Sequence, residues 1–284
     1  MNAPAPRDEV KAPPSRRAEA LWLGRIGYDR ATALQREAVN RIARGGPETF
    51  FLLEHEPVFT LGRNASAADV LFTPDRRREL GIGLVETDRG GKVTYHGPGQ
   101  LVGYPVINLD PDRRDVRRYV RDLERVLVET LADFGVAASR SAVPERLSSV
   151  WVGNDKIAAI GVHISRWITT HGFALNVTDE PLLYFRGIVP CGITDGGVTS
   201  IERITGRRVD VREVARRLLA HFAEVFSPKA CAVHVKAEEA FGAKDRDDAL
   251  AVRGGRGVAV RSFGVALLSG HSFMREFVPK NFAR

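Results

Sequence analysis

A chain of 284 residues with 44% hydrophobic residues, 27% charged residues and a net charge of +7 is ordinary globular material, enough for one large domain or two small ones. No apolar run reaches the roughly 18 residues a membrane span needs, and the start, MNAPAPRDEVKAPPSRRAEA, lacks the apolar centre of a secretory signal. Two cysteines, Cys191 and Cys231, exclude a disulfide framework, fall short of a zinc site and point to a reducing cytoplasm.

Residues 1–18, rich in Ala, Pro and charge, are expected to be disordered. Leu21 to Ile26 reads as a strand, and a helix follows in which Leu34, Ala38 and Ile42 recur until Gly45-Gly46-Pro47 ends it. Phe50 to Leu53 is a short apolar strand, and Thr73 before Pro74 starts a short helix as N-cap and first helical residue. Val93 to Asn108 reads as strand, Gly/Pro turn, strand. The longest helix is predicted from Arg114 to Phe134, by the stripe Val116, Val120, Leu123, Leu127, Leu131 and Phe134, with Gly135 at its C-cap. Ser149–Val152, Lys156–Ser165 and His171–Val177 look like three consecutive strands. Asp210 with Glu213 resembles a capping box and opens a helix carrying Val214, Leu218, Phe222 and Val225. Strands mixed with helices, several in hairpin order, predict an α/β (α+β) layer fold. From about Val235 the chain turns charged and Gly-rich, and residues 235–284 are expected to be a loosely packed appendage.

Four features could carry chemistry. The densest is Asp88 to Tyr104, DRGGKVTYHGPGQLVGY, where five glycines let backbone approach a ligand closely and Tyr95-His96 lead straight into the turn; a tight hairpin without chemical role fits the same spacing. It is neither a P-loop nor GxGxxG, so phosphate cradling is not expected. Cys191, in IVPCGITDGG, sits at a bend among turn residues. A free thiol has a pKa of about 8.5, and a nearby cation lowering it by about 1.5 units would make half of it thiolate at pH 7. Lys156 enters the apolar strand IAAIGVHI, as an edge gatekeeper or as that cation. His171, before Gly172-Phe173-Ala174, is a base, a substrate contact or a satisfied strand histidine. His55 forms no HExxH, so no metal site is expected. The basic residues are mostly arginines spread without a block of five, which fits a solvated surface better than nucleic-acid binding.

Taken together, RGGKVTYHGPGQLVGY, KIAAIGVHI, THGFALNV and VPCG, in this order, resemble the octanoyltransferase family of lipoate biosynthesis, also called lipoyl(octanoyl) transferases or lipoate-protein ligase B. The likeness covers about Leu21 to Phe226 and implies the biotin/lipoate protein ligase catalytic-domain fold, a mixed β-sheet packed with helices around an acyl-binding cleft. It implies a catalytic domain over residues 19–234. By position it makes Cys191 the acyl-thioester nucleophile and Lys156 the residue that depresses its pKa. It places Arg89, Gly90, Gly91, Lys92, Val93, Thr94, Tyr95 and His96 in the first substrate-contacting segment, and Ala159, Ile160 and Gly161 in the second. His171, Gly172, Phe173 and Ala174 form the third.

The implied reaction moves an octanoyl group from octanoyl-acyl carrier protein to a specific lysine of lipoyl domains, those of the 2-oxoacid dehydrogenase complexes and the glycine cleavage H protein. It is the first step of endogenous protein lipoylation, cytoplasmic, without cofactor, metal, nucleic acid or membrane. Thioester to amide is downhill, so no ATP is required. The alternatives are an ATP-dependent lipoate or biotin-type ligase on the same fold, a non-catalytic acyl-binding protein, and a cysteine hydrolase.

Overall fold

The computed structural model describes residues 17–141, 148–189, 196–226 and 232–235. The chain opens with β1 (Arg17–Ile26), α1 (Tyr28–Ile42) and β2 (Glu48–His55), a parallel pair joined by a helix. It then makes β3 (Val58–Leu61), α2 (Pro74–Glu79), β4 (Gly83–Glu86) and β5 (Val93–His96). Next come β6 (Gln100–Val106), α3 (Val116–Asp133), β7 (Ser139–Arg140), β8 (Ser149–Val152), β9 (Asp155–Ser165) and β10 (Ile168–Asn176). The described part ends with α4 (Ile201–Thr205), α5 (Val211–Phe226) and β11 (Ala232–Val235). The strands form a large mixed sheet in the order β11-β1-β2-β6-β10-β9-β8-β7 and a small one in the order β4-β3-β5.

Both faces of the large sheet are covered, which explains why its central strands read as unbroken apolar runs. Phe50 and Leu52 of β2 face the layer built by α3 and α5, among Leu123, Leu127, Leu218 and Phe222. Their neighbours Phe51 and Leu53 turn the other way, toward Ala31, Ala38 and Ile42 of α1. The same alternation puts Phe173 and Leu175 of β10 on the first face and Ala174 on the second. The small sheet has its own cluster around Phe59, Leu61, Val93 and Tyr95. Among the described residues no helix is long and apolar enough to cross a membrane.

Most predicted elements are present, with informative departures. Thr73 caps α2, its hydroxyl accepting from the Arg76 N–H at 3.2 Å, and Asp115 caps α3 on Arg118 N at 2.9 Å. Gly135, with φ +76°, lies one residue past the α3 C-cap Phe134. Val116 heads the predicted stripe yet is 45% exposed, because it borders the cavity described below rather than the core. The boundary expected at residue 19 falls inside β1, which begins at Arg17. Residues 1–16 and 236–284 lie outside the described residues.

Val93 to Asn108 is strand, Gly/Pro turn, strand as expected, but not the tight hairpin that the same spacing allowed. Its two strands do not form a hairpin: β5 pairs with β3 in the small sheet, and β6 lies between β2 and β10 in the large one. Gly97-Pro98-Gly99 carries the chain from one sheet to the other. Gly99 has φ +81°, donates its N–H to Glu54 Oε2 at 2.7 Å and accepts at its carbonyl from Val177 and Thr178. A Cβ there would stand 1.9 Å from Thr178 Oγ1. Gly99→Ala combines a left-handed backbone with overpacking and should lower the unfolding free energy by about 2–4 kcal/mol; a denaturant midpoint equal to wild type would contradict this.

Candidate functional site

A cavity of about 560 Å³ opens where the two sheets meet. Three separate stretches expected to touch substrate converge on it. Arg89 to Thr94 and His96 line one wall, Ala159 to Gly161 a second, and His171 to Ala174 a third; Lys156 joins them. Tyr95 does not. Strand alternation turns it into the small-sheet cluster, where its fully buried ring stacks on Tyr184 at 4.9 Å and packs edge-on against Phe59 at 5.7 Å. Its place in the substrate-contacting segment is corrected accordingly. Cys191 lies outside the described residues, as does Cys231.

The wall at Arg89–Lys92 is made of backbone in close contact. Gly90 donates its N–H to Val162 O of β9 at 3.0 Å, and a Cβ on Gly161 would stand 3.0 Å from Gly90 O. A Cβ on Gly62 would stand 2.4 Å from Gly91 O, and Gly91 has φ +89°. The Arg89 guanidinium is buried and pins this loop to β3, donating to Thr60 O at 2.7 Å, Thr60 Oγ1 at 2.8 Å and Gly90 O at 3.0 Å. Glycine is required at 62 because a side chain would collide with Gly91 O, and at 91 because its backbone is left-handed.

Three buried histidines cluster beside the cavity, and two of them, His96 and His171, line it. His55 Nδ1–H donates to Ile26 O at 3.0 Å and its Nε2 accepts from the Tyr104 hydroxyl at 2.7 Å. His171 takes φ +57° inside β10, rare for a residue with a side chain. Its backbone N–H, turned aside, donates to Gln35 Oε1 of α1 at 2.7 Å, and Nε2–H donates to Asp88 Oδ1 at 2.7 Å. Nδ1 is left to accept from Tyr28, whose phenol burial pushes up to about 12 and so keeps protonated. His96 Nδ1 meets Gln100 Oε1 at 2.7 Å.

Burial lowers the pKa of all three. His55 falls to about 4, His96 falls well below its usual range with His55 and Arg89 adding to the effect, and His171 falls less because Asp88 opposes it. A folded-state pKa below the unfolded 6.5 means that the unfolded chain binds the proton first as pH drops. Stability is therefore undiminished above pH 6.5 and is lost as pH falls toward 4. His55 alone accounts for about 3 kcal/mol of that loss. Urea unfolding at pH 7 and pH 4.5 should show it; equal midpoints would contradict the burial account.

Lys156 lies between the cavity and the end of the Cys191 stretch. Its backbone N–H donates to Gly197 O at 2.9 Å, its carbonyl accepts from Thr199 N at 2.9 Å, and it pairs with Val198 as an isolated parallel bridge. Its ammonium lies 5.1 Å from the Trp151 ring centroid. Upstream, Ile188 bridges to Val70. Ile188 and Val198, which flank Cys191 in sequence, both line the cavity.

Sequence reasoning missed Tyr28, Asn64, Gln100, Tyr104 and Asn176, all of which line the cavity. Gln100 and Asn176 had a usable signal, each a lone amide bordering an otherwise apolar strand. Tyr28 and Tyr104 had none, since only long-range pairing brings them in. Away from the cavity, Glu129, His221 and Glu224 bring ligand-capable atoms within 4.8 Å of one another, but His221 Nε2 is held by Asp133 at 3.0 Å.

Residues 27–223 match the lipoyl protein ligase A/B catalytic domain family. The chain is 49% identical over 205 residues to an octanoyltransferase of Solibacter usitatus (strain Ellin6076), covering 72% of this chain and 90% of that one. It is 45% identical over 207 residues to an octanoyltransferase of Alkaliphilus metalliredigens (strain QYMF), covering 72% and 93%. The fold is shared with a bipartite lipoate protein ligase of Thermoplasma acidophilum, studied with its E2 lipoyl domain, at TM-score 0.59, 20% identity and coverage of 77% and 85%. The cavity's three converging segments thus have a family to explain them: the chain belongs to the lipoyl protein ligase A/B catalytic domain family, among its octanoyltransferases, and is an acyltransferase of protein lipoylation.

Proposed function

We propose that this enzyme takes the octanoyl group from octanoyl-acyl carrier protein onto Cys191 and passes it to a specific lysine of lipoyl domains, in 2-oxoacid dehydrogenase complexes and the glycine cleavage H protein. The observation that supports this reading is the shared cavity, which Lys156 lines together with Ile188 and Val198, residues that flank Cys191 in sequence. The Cys191 thiolate attacks the thioester carbonyl; the C–S bond to the carrier breaks and its phosphopantetheine thiol leaves. The lysine amine then attacks the Cys191 thioester, an amide forms and the thiolate is restored. As an ammonium, Lys156 stabilises the thiolate; as an amine, it can accept a proton. The proposed catalytic unit spans residues 19–234, with Arg89–Thr94, His96, Ala159–Gly161 and His171–Ala174 holding substrate. The net charge of +7 suits acidic protein partners.

Intact-protein mass after mixing with octanoyl-acyl carrier protein tests the scheme. One octanoyl adduct should form without ATP and be discharged by a lipoyl domain. A folded, freshly reduced protein that takes no adduct but turns over free octanoate with ATP would instead be a ligase.

A further inference from the structure

The exposed side of α3 is sorted by charge. Successive helical residues turn by roughly 100°, so Val116 and Val120, which line the cavity, form one row, and Arg117 and Arg121 lie beside it on the solvent side. Glu124, one turn on, falls between the two rows and fixes where they lie. Its buried carboxylate accepts from the backbone N–H groups of Ser148 and Ser149, both on the cavity wall, and meets Arg140 of β7 at 4.0 Å. The helix's other edge is acidic and faces α5, where Glu129 and Asp133 meet His221 at 3.6 and 3.0 Å. Most arginines of this helix are already matched: Arg113 and Arg118 reach Asp122, Arg114 reaches Asp110 and Arg125 reaches Glu129. Arg117 and Arg121 are exposed and, among the described residues, make no ion pair.

We propose that Arg117 and Arg121 form the docking edge for the acyl carrier protein, holding the phosphate of its prosthetic arm and the acidic surface around it while the octanoyl thioester enters beside Val116. This rests on the transfer reading above. Charge selects the donor over the acceptor. Phosphopantetheine is joined to its carrier through an anionic phosphodiester, whereas a lipoyl domain presents a lysine ammonium. Guanidinium groups beside the cavity attract the first and repel the second. These two arginines are also the ones a partner can use without first opening an ion pair. Val116, 45% exposed where it borders the cavity, gives the acyl chain an apolar surface to follow. Exposed charges of this kind act on encounter, so they raise the rate of association and leave the chemical step alone.

Single-turnover acylation of the full chain compares octanoyl-acyl carrier protein with octanoyl-pantetheine, a thioester arm with neither phosphate nor protein. Arg117→Glu with Arg121→Glu should lower the second-order rate constant for the carrier at least about tenfold at low salt. Screening should narrow that gap at high salt, and Arg117→Gln with Arg121→Gln should show about half of it on a logarithmic scale. Acylation by octanoyl-pantetheine and discharge by a lipoyl domain should stay within about twofold of wild type. The control is Arg36→Glu with Arg44→Glu, the same change in charge at exposed positions on and just after α1, across the sheet; it should leave carrier acylation within about threefold. An equal loss with octanoyl-pantetheine overturns the proposal, as does a loss confined to discharge or an equal loss in the control. A wild type that takes no adduct from either donor overturns the transfer reading instead. Fluorescence anisotropy of labelled octanoyl-acyl carrier protein then still decides the docking: weaker binding by the Arg117 and Arg121 variant alone supports it, and equal binding overturns it.

Discussion

Cys191→Ala is expected to take no octanoyl adduct and to lose turnover by a factor on the order of 10⁴–10⁶, the usual cost of removing a covalent nucleophile. The size follows from the chemistry. Without the thiol, the lipoyl-domain lysine would have to attack the carrier's thioester directly, across two bulky proteins, with no intermediate to divide the barrier. Cys191→Ser is a sharper test, because a hydroxyl keeps the shape but stays protonated where a thiol of pKa about 8.5 already supplies a few per cent of thiolate at pH 7. Serine should therefore resemble alanine. Turnover within tenfold of wild type in the alanine variant, measured with octanoyl-acyl carrier protein and a lipoyl domain, would remove the covalent scheme.

Lys156→Met should follow in severity, with kcat/KM down by roughly 10²–10⁴. Part of this is thiolate lost at pH 7 once the cation is gone, because a nearby positive charge favours the thiolate. The acidic limb of the acylation profile should then move to higher pH, since a thiol without its cation ionises later. The pairing of Lys156 with residues 197–199 is made by its backbone and so is retained, and methionine keeps the side chain's length, so the loss reports charge. Lys156→Arg keeps the cation and cannot release a proton; it should keep the wild-type limb and acylate within about tenfold of wild type. An unmoved limb in Lys156→Met would separate Lys156 from the thiolate.

Elements whose partners are near in sequence were legible. The α1 and α3 stripes, the Thr73 cap and the three strands from Ser149 onward follow from local periodicity and turns, which short-range physics sets. The small sheet was not legible: Val58–Leu61 and Gly83–Glu86 are short, and what makes them strands is pairing with each other and, for Val58–Leu61, with β5, across long stretches of chain. The same cause hid the parting of β5 from β6, since a Gly/Pro turn reads alike whether its arms meet or diverge. In the site, resemblance supplied the three substrate-contacting segments as runs of sequence, and a run cannot tell which face a residue takes. Tyr95 is the case in point, turned inward by alternation while His96 beside it reaches the cavity.

The wall where Gly90 and Gly91 lie against Gly62 and Gly161 also governs how the enzyme can be altered. Backbone pressed on backbone offers no side chain to trim, and adding one closes the seam. Engineering for bulkier or shorter acyl donors must therefore work from side chains that border the same cavity, such as half-exposed Val116 and the partly buried Val120 of α3. A library confined to those two helical positions would explore fit while leaving the glycine seam intact.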